Sequence, residues 1–165
     1  MTIDLKKSVA EVAKDRATVI DKLVQFSLTD MLLFWGANEE LAKHQEKLWT
    51  PILVWAKENL DTKYKTTTTL EVPEQEDKSS EHLKMFLQSL SDKQLTAFYY
   101  AALNTRSVLL AAALVKGKIN ARQAFEASCA EELWQAQKWG KDKAAECRRK
   151  DLYSELETIE NFIKK

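Results

Sequence analysis

Three glycines and two prolines in 165 residues are the tightest constraint on what this chain can fold into. A β-sandwich or barrel must reverse direction about every eight to twelve residues, and it depends on residues that tolerate positive φ or preset a turn. So few turn formers leave long uninterrupted elements. The chain is expected to be all-α, a compact bundle of about six or seven helices with one polar internal loop.

Composition supports a single packed domain spanning residues 1–165. Hydrophobic residues make up 45% and charged residues 30% of the 19.0 kDa chain, which excludes wholesale disorder. Lysine plus arginine and aspartate plus glutamate each number 25. A nucleic-acid binder usually carries a basic excess, so that class is disfavoured. Near-zero net charge also gives little colloidal repulsion and suits a protein that is often partner-bound. Cys129 and Cys147 have no metal-ligand spacing and read as reduced thiols. The N-terminal MTIDLKKSVAEVAKDR has no apolar core of a secretory signal, and its acidic residues do not suit a transit peptide. No membrane span is expected, because the apolar run VLLAAALV falls far short of the roughly 20 residues needed.

Helical periodicity organises the chain. Asp15 is placed to cap a helix carrying Val19, Ile20, Leu23, Val24 and Phe26, the i, i+3, i+4 pattern of one buried face. Thr29-Asp30 leads into MLLFW, which Gly36 ends. Asn38 caps the next helix, and Pro51 within it predicts a kink or a stop and restart. Residues 61–80 lose the pattern and form the loop, with a strand-like stretch around residues 66–72. Ser80 opens a helix through Leu90. Ser91 and Gln94 form a capping box for the next one, which Asn104–Ser107 interrupt before VLLAAALV. Gly117 closes that segment as a left-handed cap. Asn120 opens a run ended by Gly140, and a last helix aligns Leu152, Leu156, Ile159 and Phe162. Arg148–Lys150 on it read as a solvated basic face.

Catalytic chemistry finds little support. His44 and His82 lie on separate helices with no partner ligand at i+3 or i+4, and no phosphate loop or nucleophile elbow is present. No metal, cofactor or catalytic residue is expected. The informative segment is residues 121–140. At about 100° per residue, Ala121, Phe125, Cys129, Leu133, Ala136 and Trp139 share a face, and Glu132 points into it. A carboxylate there needs a lysine or arginine partner, a solvent-filled groove, or groups on another polypeptide. Trp134 lies to one side, either packed on a second layer or forming an exposed aromatic patch.

Two motifs carry a resemblance. Thr29-Asp30 with its apolar followers, then Gln45-x-x-Leu48-Trp49-x-Pro51-x-Leu53-x-Trp55-Ala56, is similar to the F-type ATP synthase assembly chaperones that bind the alpha subunit. Ser128-x-x-Glu131-Glu132-x-Trp134-Gln135-x-Gln137-x-Trp139-Gly140 resembles the C-terminal signature of that family. The resemblance implies a chaperone, not an enzyme. Such a protein holds the newly made alpha subunit until the beta subunit replaces it. It implies the family's helical C-terminal domain without the N-terminal β-rich domain, and a mitochondrial matrix or alphaproteobacterial cytoplasmic setting. The implied partner-binding residues are Glu131, Glu132, Trp134, Gln135, Trp139 and Asp30, with the family's sensitive acidic residue matching Glu131 or Glu132. Phe34-Trp35-Gly36 stand where the family usually has Cys-Tyr-Arg. A stably bound structural subunit is the alternative from another class. A small hydrolase using Cys129 or the glutamates is a third.

Overall fold

The computed structural model describes residues 4–165; the first three residues of the N-terminal segment read above lie outside them. Nine α-helices follow one another: α1 (Leu5–Lys14), α2 (Arg16–Ser27), α3 (Glu39–Leu60), α4 (Asp77–Ser89), α5 (Asp92–Thr105), α6 (Val108–Val115), α7 (Ala121–Ser128), α8 (Ala130–Trp139) and α9 (Lys143–Lys164). A single 3-10 turn, Met31–Leu33, precedes α3. The all-α expectation holds, and the expected helix count of six or seven is corrected to nine among the described residues. The two additional helices have separate origins. Asp4 caps α1 by accepting from the Lys7 N–H, adding a helix ahead of the one assigned from Asp15. The run from residue 121 to 140 is divided at Cys129.

The fold is built round α6. All eight of its residues are buried, so it needs cover on every side. α5 runs back against it, and α3, α7 and α9 close the remaining faces. A helix start buried this deeply leaves N–H groups that water cannot reach. Ser107 accepts from the Leu110 N–H at 3.1 Å. Asp30 accepts from the Leu109 N–H at 3.1 Å through one oxygen and from the Leu32 N–H at 2.9 Å through the other. One carboxylate thus holds the 3-10 turn against the start of α6. It has no exposed surface.

Other joints follow the same logic. Arg16 at the start of α2 donates to the carbonyls of Leu87, Gln88 and Leu90, which end α4, and pairs with Asp92 at 2.9 Å. Arg106 at φ 60 breaks α5 from α6, as the polar interruption predicts. Gly117 takes φ +74. Pro51 neither stops nor restarts α3, which continues for 22 residues with the proline exposed on its outer side. The polar loop ends at Glu76, four residues earlier than expected, since α4 starts at Asp77. Its strand-like character is confined to Thr67, which exchanges backbone hydrogen bonds of 2.8 Å with Leu33 and Trp35.

The folded surface is 9650 Å², about 15% above what the mass predicts for a compact monomer. Part of the excess comes from α8. Of its ten residues only Ala130 is buried.

Burial raises the Asp30 carboxyl from 3.8 to about 6 against four opposing hydrogen bonds. The folded state therefore binds this proton more tightly than the unfolded state. The resulting stabilisation is complete below about pH 4 and is lost as pH rises through about 6. Comparing the wild type with Asp30→Asn in urea should isolate it. The wild type is expected to gain roughly 2 kcal/mol relative to the variant between pH 7 and pH 4. Parallel pH profiles for the two proteins would refute the assignment.

Candidate functional site

α7 and α8 meet at Cys129, whose φ of −102 and ψ of 19 depart from helical values. The Trp49 indole N–H donates to the Ala127 carbonyl at 2.8 Å in this turn, and Ser128 donates to the Thr105 carbonyl at 3.2 Å. Both anchors hold the end of α7 on the core, while α8 bends away. The continuous apolar face expected over residues 121–140 is corrected accordingly. Ala121, Ala124, Ala127, Cys129 and Ala130 are buried, whereas Leu133 and Ala136 are half-buried and Trp139 is 73% exposed.

The residues expected to bind a partner fall into two places. Glu131, Glu132, Trp134, Gln135 and Trp139 come together on α8. Glu131 and Gln135 are exposed, and Glu132 and Trp134 are half-buried. The two indoles stack edge to face, with centroids 5.7 Å apart. Lys138 lies over the Trp134 ring at 5.1 Å and pairs with Glu40 of α3, tying α8 to the body of the protein. Neither Glu131 nor Glu132 has an ion-pair partner among the described residues. Both sit in the first turn of α8, where the helix dipole favours negative charge. Asp30 is not brought to this group. It lies fully buried beneath the 3-10 turn, and another protein could reach it only by opening that turn.

Cys129 lies on the inner side of the bend, 2% exposed. Burial, and after it the neighbouring Glu132 carboxylate, push its thiol up to about 11. Such a thiol is a poor nucleophile at neutral pH. Among the described residues, no cluster of three or more histidine, cysteine or acidic side chains could hold a metal ion. Among the described residues, no helix is long and apolar enough to cross a membrane.

Behind α8 is a feature that sequence reasoning missed. α8 leans on α3 while α9 packs on α5 and α7, and the divergence opens a groove of about 1000 Å³. Leu48, Phe125, Leu133 and Trp134 supply its apolar lining, and Arg149 reaches it from α9. The basic run at residues 148–150 is therefore not uniformly solvated, because Arg149 is only 9% exposed. The signal was present in the sequence. Arg149 precedes Leu152 by three residues and Leu156 by seven, which sets it on the buried stripe of the last helix.

Comparison with known proteins shows first that the all-α fold is shared with solved bacterial proteins. The structure superposes on Atp12 from Paracoccus denitrificans with a TM-score of 0.90 at 28% identity, covering 95% of this chain and 68% of that one. A variant of that protein with one aspartate replaced by lysine matches equally well, at 28% identity, a TM-score of 0.90 and the same coverages of 95% and 68%. A candidate chaperone from Agrobacterium tumefaciens shares the fold at a TM-score of 0.88 and 24% identity, with 95% of this chain covering 60% of that one. The sequence model of the ATP12 chaperone protein family matches residues 1–57, and the resemblance to these chaperones read from the motifs is borne out.

Because α8 buries almost nothing, its outward side chains should be dispensable for folding. Trp139→Ala is expected to shift unfolding free energy by less than about 0.5 kcal/mol, the range of ordinary surface substitutions. It should also remove the emission most readily quenched by acrylamide, since Trp49 is 2% exposed. Thermal melts and quenching titrations on the two proteins check both outcomes.

Proposed function

We propose that the chain is an assembly chaperone that binds the unassembled alpha subunit of the F-type ATP synthase catalytic head and prevents its aggregation. The observation carrying this reading is the openness of α8. An exposed tryptophan, a half-buried one and two glutamates without ion-pair partners stand on a helix that buries one residue. Tryptophan is enriched at interface hot spots because it desolvates a large, rigid area when covered. Glutamates at a helix start can accept from a partner's basic groups or backbone amides. The likeness to Atp12 and to the ATP12 chaperone family supports a chaperone role, and the alpha subunit is the client implied by the motif resemblance.

An unassembled subunit exposes interface surface that invites aggregation. A helical partner can cover that surface and leave when a tighter partner arrives, with no nucleotide or cofactor required. Glu131, Glu132, Trp134, Gln135 and Trp139 form the contact surface in this reading. Asp30 supports it from within by fixing the core on which α7 rests. The working setting is the mitochondrial matrix or the alphaproteobacterial cytoplasm.

Reversing both charges should separate binding from folding. The Glu131→Lys, Glu132→Lys double variant is expected to keep the wild-type helical circular dichroism and to bind the alpha subunit at least tenfold more weakly, a loss of about 1.4 kcal/mol or more. Unchanged affinity in a pull-down titration would remove these residues from the contact surface.

A further inference from the structure

The groove between α8 and α9 has a charge balance of its own. Two carboxylates line it, and both are already paired, Glu126 with Arg122 at 2.9 Å and Glu146 with Lys141 at 3.8 Å. Lys143, Arg149 and Lys150 also line it, and none of the three has an ion-pair partner among the described residues. Arg149 is the informative one. The residue is nine-tenths buried, no described hydrogen bond engages its guanidinium, and the guanidinium nitrogens keep solvent contact through the groove. Water satisfies the guanidinium at the groove wall, and a carboxylate entering there would replace that water with a charge-assisted pair. Around it the lining is apolar and aromatic. Phe125 and Tyr153 stack edge to face at 5.4 Å, beside Leu48, Leu133 and Trp134.

From this juxtaposition we infer that the groove receives an acidic, apolar segment of the client polypeptide, whose aliphatic side chains cover Phe125 and Leu133 and whose carboxylate pairs with Arg149. The inference rests on the chaperone reading and extends it from the outer face of α8 to its inner side. Charge complementarity selects the occupant. Three uncompensated cations select an anion, while an apolar floor selects side chains that a bare phosphate or nucleic-acid backbone lacks. The guanidinium fork suits a carboxylate bidentately. α8 would then be held by its client on both sides, with Trp134 facing the groove and Trp139 the outside.

Cys147 provides the test, because it is exposed and lines the groove, whereas Cys129 is buried and should react slowly. The rate of N-ethylmaleimide labelling is measured on the full chain alone and with excess purified alpha subunit. Labelling of Cys147 is expected to slow at least tenfold in the complex. Arg149→Gln, and separately the exposed pair Lys143→Glu and Lys150→Glu, are expected to weaken alpha-subunit binding at least fivefold. The exposed pair guards against a misfolded Arg149 variant. A complex that forms with Cys147 still labelled at the free rate overturns the groove inference and leaves the chaperone reading standing. No complex at all overturns both. Slowing that depends on the chain's own concentration, or that a double-stranded oligonucleotide produces equally well, overturns the choice of occupant.

Discussion

The structure depends on giving α6 a dry environment with its first N–H groups satisfied. Eight consecutive apolar residues without a solvent-facing side can be buried only if other helices surround them, and α5, α3, α7 and α9 do so. The start of that helix would still carry unsatisfied donors at the centre of the protein. Asp30 and Ser107 supply the acceptors. Burying a carboxylate this completely costs free energy, which its four hydrogen bonds offset in part, leaving the proton held more tightly than in water. The residue that looks most like an active-site acid by its burial and perturbed titration is thus a joint of the scaffold.

The same arrangement explains why α8 is free. The end of α7 is fastened by the Trp49 and Ser128 hydrogen bonds, so the chain beyond Cys129 has no core left to join. It rests on α3 and ends at Gly140, whose φ of +95 lets the chain turn into α9. Both faces of α8 are consequently available. One presents Glu131 and Trp139 outward, and the other walls a groove in which Arg149 lacks a partner. Few contacts bind α8 to the body, so it can shift without disturbing the core.

Much of this was legible in the sequence. The capping box at Ser91, the caps at Asn38 and Asn120 and the break at Arg106 appear where residue chemistry puts them, because each depends on a few neighbouring residues, whereas Asp15 precedes α2 without the expected side-chain cap bond. What local pattern could not supply was direction. Periodicity alone treats residues 121–140 as one helix, since the break at Cys129 coincides with a hydrogen bond from Trp49, 78 positions away in the chain. Pro51 gave the opposite lesson. α3 passes through it as one helix, so the stop and restart that a purely local rule allows does not occur. The aromatic and acidic residues of α8 were visible as a group, while Arg149 was hidden by its charged neighbours Arg148 and Lys150. The groove exists only because helices distant in sequence diverge, so no local motif announces it.

The central claim is that these exposed surfaces serve an unassembled subunit. Co-expression of the alpha subunit alone, with and without this chain, tests it most directly by the fraction of alpha subunit recovered in the soluble lysate. The account predicts that an alpha subunit which aggregates by itself becomes largely soluble and elutes with the chain. An alpha subunit that stays insoluble beside abundant folded chain would contradict it.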